Sequence, residues 1–342
     1  MMNYAQVTEK IEQLKLGKKV PDTERLIELF SKINEDGFHG EILYIPGEYE
    51  YDSLGEFSEM ILKEHKFSVG RFTSFAIKRP LSHILLNGKA ISRKKFASIG
   101  EQILNVTGMG EDVSENCLLD TPAKALTRMD VYFLIALSYF AGEKVDYIIL
   151  PSNVYDEMEA LDENIEYLRA QGREFRNKTY APMFLESAGV VLDKKKVEKA
   201  TEKCKLEGKF ELLRKKPYFI ADGADNENAT KLFMANLQYA YPDNPYIFIV
   251  GVLQDSYEGI VKESAYMAQH ILMVTPPEME NALPGIELAK EYEKLNPNIT
   301  NASSVEEAVE IATILAGKDT VVAAFGTTAI LERYRKVVDA IK

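Results

Sequence analysis

"PYFIADGADNENA", Pro217 to Ala229, joins an apolar run to a glycine turn and then to the start of a helical stretch. Pro217–Ile220 suits a buried strand, Asp222-Gly223 is a turn former, and helical spacing of apolar residues carries on from Asn226 to about 239. The same phrasing returns downstream. Tyr246–Val250 (YIFIV), His270–Val274 (HILMV) and Thr320–Ala324 (TVVAA) are apolar runs, with helical stretches at 226–239, 255–267, 284–293 and 304–316 between them. Near-continuous apolar strands separated by helices of this length predict a parallel sheet with right-handed crossovers and helices on both faces.

Working back toward the amino terminus, the alternation lapses and then resumes. From Pro151 to Glu207 the chain is polar, with a helix-prone stretch at 156–171 and a Lys/Glu-rich helix at 193–207, and no strand is predicted there. It reads as a connection with a bridging helix. Before it, Lys144–Leu150 (KVDYIIL), Ile42–Ile45 and Phe67–Thr73 read as strands, and 4–15, 22–34, 57–66, 92–106 and 122–140 as helices. The expectation is an α/β protein with two Rossmann-like parallel-sheet units, 1–150 and 208–342, joined by 151–207.

Composition narrows the function classes. A net charge of −12 makes nucleic acid and an anionic membrane surface poor partners. No run of eighteen apolar residues is present to span a bilayer, and the amino terminus lacks the apolar core of a signal peptide. The two cysteines, Cys117 and Cys204, stand in no CxxC spacing, which points to free thiols in a reducing cytoplasm. The four histidines are scattered and never fall at i, i+4, so a histidine-based metal site is not expected.

"GEYEYDSLGEF", residues 47–57, follows the first predicted strand and opens the next helix, the place where α/β proteins commonly grip a phosphate. Yet Gly47, Glu48, Tyr49, Glu50, Tyr51, Asp52 and Ser53 include three acids and no lysine. Ser53-x-x-Glu56 reads as a capping box, with acidic residues filling the positive end of the helix dipole. The i, i+2, i+4 acids lack the glycine and glutamate of a calcium loop, so no metal is assigned to them.

Phrasing along nearly the whole chain resembles the folylpolyglutamate synthase branch of the Mur ligase superfamily. "VGRFTS" (69–74), "ILLNGKAIS" (84–92), "TPAKALT" (121–127), "EKVDYIIL" (143–150), "GKFELL…PYFIADGADNENA" (208–229), "FIVGVLQDSYEGIV" (248–261) and "VVAAFGTTAILERYRKVV" (321–338) follow that family's order. The resemblance implies a P-loop-NTPase-like first unit and ATP-dependent joining of an acid to an amino acid through an acyl phosphate. It also implies a phosphate loop with a lysine, and magnesium ligands.

Position by position, this chain departs from those requirements. The family loop "GTNGKGST" falls on Gly47–Leu54, where Tyr51 replaces the lysine and Glu50 and Asp52 replace glycines that admit phosphate to the backbone. Each carboxylate facing a phosphate at about 4 Å adds roughly 1 kcal/mol of repulsion in water and more at lower dielectric. The family's metal-ligating glutamate falls on Pro151, and the central segment that would complete the cleft is largely missing. Ser74 keeps the family's serine. Lys209 replaces an arginine and loses its bidentate fork. Asp222, Asp225 and Asn226 stand for "DGAHN", with Asp225 in place of the histidine. Together with Asp255, these residues are the candidates for residual ligand binding.

The expected protein is therefore folylpolyglutamate-synthase-like, without catalytic residues or a resident cofactor. It would act as a non-catalytic binding or partner subunit for an active ligase or pathway enzyme, or for a small acidic or polar ligand. The alternative is a diverged ATP-dependent acid–amino acid ligase or another enzyme using the remodelled cleft, with ATP and magnesium as its cofactors.

Overall fold

The computed structural model describes residues 2–15, 21–34, 36–46, 51–74, 80–108, 126–152, 173–255, 257–277, 279 and 281–341. The chain divides into two compact units, residues 1–163 with 178–204, and 164–177 with 205–342.

The first unit opens with α1 (Tyr4–Glu12) and α2 (Thr23–Ile33), then β1 (Glu41–Pro46), α3 (Asp52–Glu64) and β2 (Val69–Phe72). A hairpin follows, β3 (Ile84–Leu86) and β4 (Lys89–Ala90), then α4 (Arg93–Val106), α5 (Arg128–Glu143) and β5 (Tyr147–Ser152). Its sheet has the order β1-β5-β2-β3-β4, with β1, β5 and β2 parallel and the hairpin strands antiparallel. Asn87 and Gly88 both have positive φ, which makes the tight turn the short hairpin needs.

Helix α5 is apolar nearly all round, so it is buried at the centre of this unit, against β2 and among α1, α2 and α4. Gly70 lets it seat: a Cβ there would lie 2.6 Å from the Phe140 ring. Helix α3 covers the opposite face of the sheet. The sequence places the start of α5 at about 122, but it begins at Arg128 because Thr127 and Asp130 form a reciprocal capping box; residues 122–125 lie outside the described residues.

The two helices α6 (Arg173–Ser187) and α7 (Lys194–Lys203) come next, and no strand joins them among the described residues. The sequence predicts α7 but not α6, whose polar run contains Pro182. The predicted helix 156–171 lies outside the described residues.

The second unit comprises β6 (Glu211–Lys215), β7 (Tyr218–Ala221), α8 (Glu227–Ala240), β8 (Tyr246–Val250) and α9 (Tyr257–Ser264). It continues through β9 (His270–Met273), α10 (Gly285–Glu293), β10 (Ile299–Asn301), α11 (Val305–Leu315), β11 (Val321–Phe325) and α12 (Leu331–Ala340). The sheet order is β10-β9-β8-β11-β7-β6, parallel except for the edge strand β6. The predicted parallel sheet is thus present, enlarged at both edges by strands too short or too polar to predict. Apolar residues of α11 and α12 pack on one face of the sheet with Ile247, Ile249, Leu272 and Val322.

Candidate functional site

In the first unit, β1, β5 and β2 end together, with Pro46 in register with Ser152 and with Thr73 just past β2. Gly47, Glu48, Tyr49 and Glu50 lie outside the described residues. The remainder of the stretch differs from its sequence reading. Helix α3 begins at Asp52 with Tyr51 as N-cap, and no side chain caps it. Ser53 is fully buried inside the first turn, so the Ser53-x-x-Glu56 capping box does not form. The helix starts earlier because Ser53, Leu54 and Phe57 are all drawn into the core as part of its buried face.

Asp52 is buried in that first turn, 6% exposed, and accepts a 2.6 Å hydrogen bond from Thr73 Oγ1 at the end of β2. Its negative charge therefore sits at the positive end of α3, as the sequence suggests for these acids. One helical turn onward is Glu56, and one further is Glu59. Glu59 Oε2 accepts from Arg71 Nε at 2.8 Å, and both side chains are more than nine-tenths buried. Burial opposes the charge on Arg71, but Glu59, Glu56 and Asp52 outweigh it and hold the guanidinium above its ordinary pKa.

Sequence reading missed this pair, although it leaves a signal. Val69-Gly-Arg-Phe72 is buried at every residue, so its single arginine requires a buried acid.

His83 completes the cluster. Its Nδ1 donates to the Thr73 carbonyl at 2.6 Å, and its ring stacks between Phe72 and Tyr132. Burial lowers its pKa, with the Thr73 bond and Asp52 acting in the opposite direction. Ser74 Oγ, nearby in sequence, is buried without a hydrogen-bond partner among the described residues. Pro151 occupies β5 opposite Ile45, and its carbonyl accepts from Thr23 Oγ1 at 2.8 Å.

In the second unit, Asp222 is fully buried at the carboxyl end of β7. Its two oxygens accept from the backbone N–H of Phe210 at 2.7 Å and of Ala224 at 2.9 Å. Phe210 has a φ of +49°, so Asp222 fastens a backbone conformation that costs energy for any residue but glycine. Lys209, beside it, is also buried. Asn226 is the N-cap of α8: its Oδ1 accepts from Ala229 N, while its Nδ2 donates to the exposed Asp225. Asp222 and Asn226 thus hold the turn; Asp222 is buried, Asn226 is half-buried and Asp225 is exposed.

An open cavity of about 470 Å³ lies where the loops after β7 and β8 lead into α8 and α9. It is lined by Asn226, Glu227, Gln254, Asp255, Tyr257 and Glu258, with Gly259. A Cβ on Gly259 would lie 2.5 Å from Glu227 Cβ, so glycine is what lets the two helices approach here. The cavity brings Asn226 and Asp255 together; Ser74 belongs to the other unit. Its carboxylates outnumber its cations, and Glu227 is already paired with Lys262 at 2.6 Å. Among the described residues, no group of three or more His, Cys, Asp or Glu side chains is placed to hold a metal ion. No helix among them is long and apolar enough to cross a membrane.

No family model matches the chain, and no curated protein matches it in sequence. Solved structures do match it. Folylpolyglutamate synthase from Thermotoga maritima superposes with a TM-score of 0.73 at 18% identity, covering 99% of this chain and 97% of that one. The Mycobacterium tuberculosis synthase complexed with ADP gives 0.73 at 14% identity, covering 99% and 98% of the two chains. E. coli FolC in complex with DHPP and ADP gives 0.71 at 15% identity, again covering 99% and 98%. The order of motifs is thereby borne out at the level of architecture: this chain has the folylpolyglutamate synthase fold.

Proposed function

We propose that the protein is a folylpolyglutamate-synthase-like chain without ATP-dependent ligase activity, acting as a non-catalytic binding or partner subunit in the cytoplasm. The observation that carries this reading is Asp52. At the start of α3, where the resemblance puts the phosphate loop, a buried carboxylate bound to Thr73 occupies the first turn. A nucleotide phosphate arriving there would meet an anion instead of free N–H groups and a lysine. Pro151, at the position of the metal-ligating glutamate, supports the reading because its side chain has no donor atom for magnesium.

On this proposal the chain needs no resident cofactor. Its partner is an active ligase or another enzyme of the same pathway, or a small polar ligand held at the cavity beside Asn226 and Asp255. Calorimetric titration with ATP and magnesium is expected to give no binding heat. Tight magnesium-dependent binding would overturn the proposal.

A diverged ligase remains the second reading, favoured by Ser74, which keeps the family's serine and whose buried hydroxyl has no partner among the described residues. ADP release on panels of acids and amino acids, abolished in Ser74→Ala, would establish it in place of the first.

A further inference from the structure

The carboxyl end of α3 carries an arrangement that neither reading uses. His65 is the C-cap of that helix, and both of its ring nitrogens are engaged. Nδ1 lies 2.8 Å from the Ile61 carbonyl, and Nε2 lies 2.8 Å from the backbone nitrogen of Asp193, the N-cap of α7. A carbonyl can only accept and an amide N–H can only donate, so these partners dictate the tautomer. Nδ1 carries the proton, and Nε2 offers the lone pair. We propose that His65 is a proton-operated latch, holding the amino end of α7 on α3 while neutral and releasing it when protonated.

The asymmetry of the two bonds makes the device specific. Adding a proton to Nε2 sets an N–H against the Asp193 N–H, while the Nδ1 bond to Ile61 survives unchanged. Protonation therefore removes this hydrogen bond between the helices and spares the cap of α3 itself. Just before this end of α7 Val190 is buried, while Asp193 and the first turn of the helix are exposed. Its buried residues, Ala200 and Thr201, lie in its last turns, and the Glu64–Lys199 pair is solvent-exposed enough to contribute little.

The charged surroundings pull in both directions. Glu64 and the Asp193 carboxylate favour a cation at His65, as does the negative end of α3. Lys63, Lys66, Lys199 and Lys203 and the positive end of α7 disfavour it. On the sheet, Glu41 and Asp146 stand at the amino ends of β1 and β5, the end toward which α3 runs. With these influences opposed, the lost lone pair is the decisive change. Helix α7 is the last element of the first unit before the chain passes at Cys204–Lys205 to the second.

Amide hydrogen exchange at Asp193 tests the proposal, read as a protection factor so that the intrinsic pH dependence of exchange cancels. Between about pH 7.5 and pH 5, protection at Asp193 is expected to fall about tenfold, as for one lost hydrogen bond. In His65→Gln, which has an acceptor that does not titrate, protection should no longer depend on pH. In His65→Phe it should be low throughout.

A wild-type measurement keeps the test decisive if a variant fails to fold: the 15N shift of His65 Nε2 should be that of an unprotonated ring nitrogen at the higher pH. Constant protection at Asp193 across the range, or a proton on Nε2 at the higher pH, would overturn the proposal. So would the Asp193 side chain leaving Lys196 N to accept from Nε2–H while the helices stay joined.

Discussion

Asp52 and Asp222 both sit at the carboxyl end of a parallel sheet, and both are buried, yet they satisfy themselves in different ways. Asp222 takes two backbone N–H groups, one of them from a residue with positive φ, so its carboxylate is built into the path of the chain. Asp52 takes a side-chain hydroxyl and lies within the field of Arg71, whose direct partner is Glu59. In the second unit the turn from Asp222 to Asn226 holds its own backbone. In the first unit, Asp52 is instead tied to a side chain from the end of β2, and Arg71 of β2 pairs with Glu59 of α3. A polar group bonded to backbone is difficult to replace, whereas one bonded to side chains can be exchanged together with its partner.

The largest effect expected from breaking this comparison is Arg71→Ala. It leaves Glu59 buried and uncompensated, and should lower stability by about 3–5 kcal/mol in urea denaturation. The double variant Arg71→Met with Glu59→Leu should recover most of that loss, because the pair can leave together. Asp222→Asn, next in size, turns one acceptor into an NH2 group facing a backbone N–H. It should cost about 2–3 kcal/mol, and no single substitution at Phe210 or Ala224 can restore the lost N–H partner.

Sequence reading reached the two units unevenly, for a physical reason. Buried parallel strands such as YIFIV and the YIIL of KVDYIIL are apolar throughout and announce themselves. Edge elements do not: β6 is half-exposed Glu-Leu-Leu-Arg-Lys, β10 has three residues, and α6 is a polar run interrupted by Pro182. The start of α3 is hidden because Ser53-x-x-Glu56 satisfies a local rule, while burial of Ser53 and Leu54 extends the helix past it. At the candidate site, the acidic character of the loop was legible. The contact of Asp52 with Thr73 was not, because it joins residues 21 positions apart across the sheet.

Smaller effects sharpen the contrast between the units. Burial depresses the pKa of His83 in the first unit and, at a more exposed position, of His270 in the second. An unfolded chain takes up these protons before the folded one does. Stability from neutral His83 is therefore present above the unfolded value near 6.5 and is lost as the pH falls below it. Urea midpoints compared at about pH 7.5 and pH 5.5 should fall on acidification. His83→Gln should flatten that fall more than His270→Gln does.

The smallest change is expected at the cavity rim. Asp255→Asn with Glu258→Gln should leave stability within about 0.5 kcal/mol, since Asp255 is exposed and neither side chain holds the fold. A larger loss would place these residues with Asp222 rather than with solvent-facing groups.

The strand β6 has a bearing on how the second sheet avoids pairing with other chains. It runs antiparallel along the outer edge of the second sheet, and its residues Arg214 and Lys215 lie where another molecule would have to add a strand. The opposite edge is closed by the three-residue β10. A basic outer strand on one margin and a stub on the other give incoming chains little template to pair with. The apolar strands between them are thereby kept for one another, through synthesis as well as in the finished molecule.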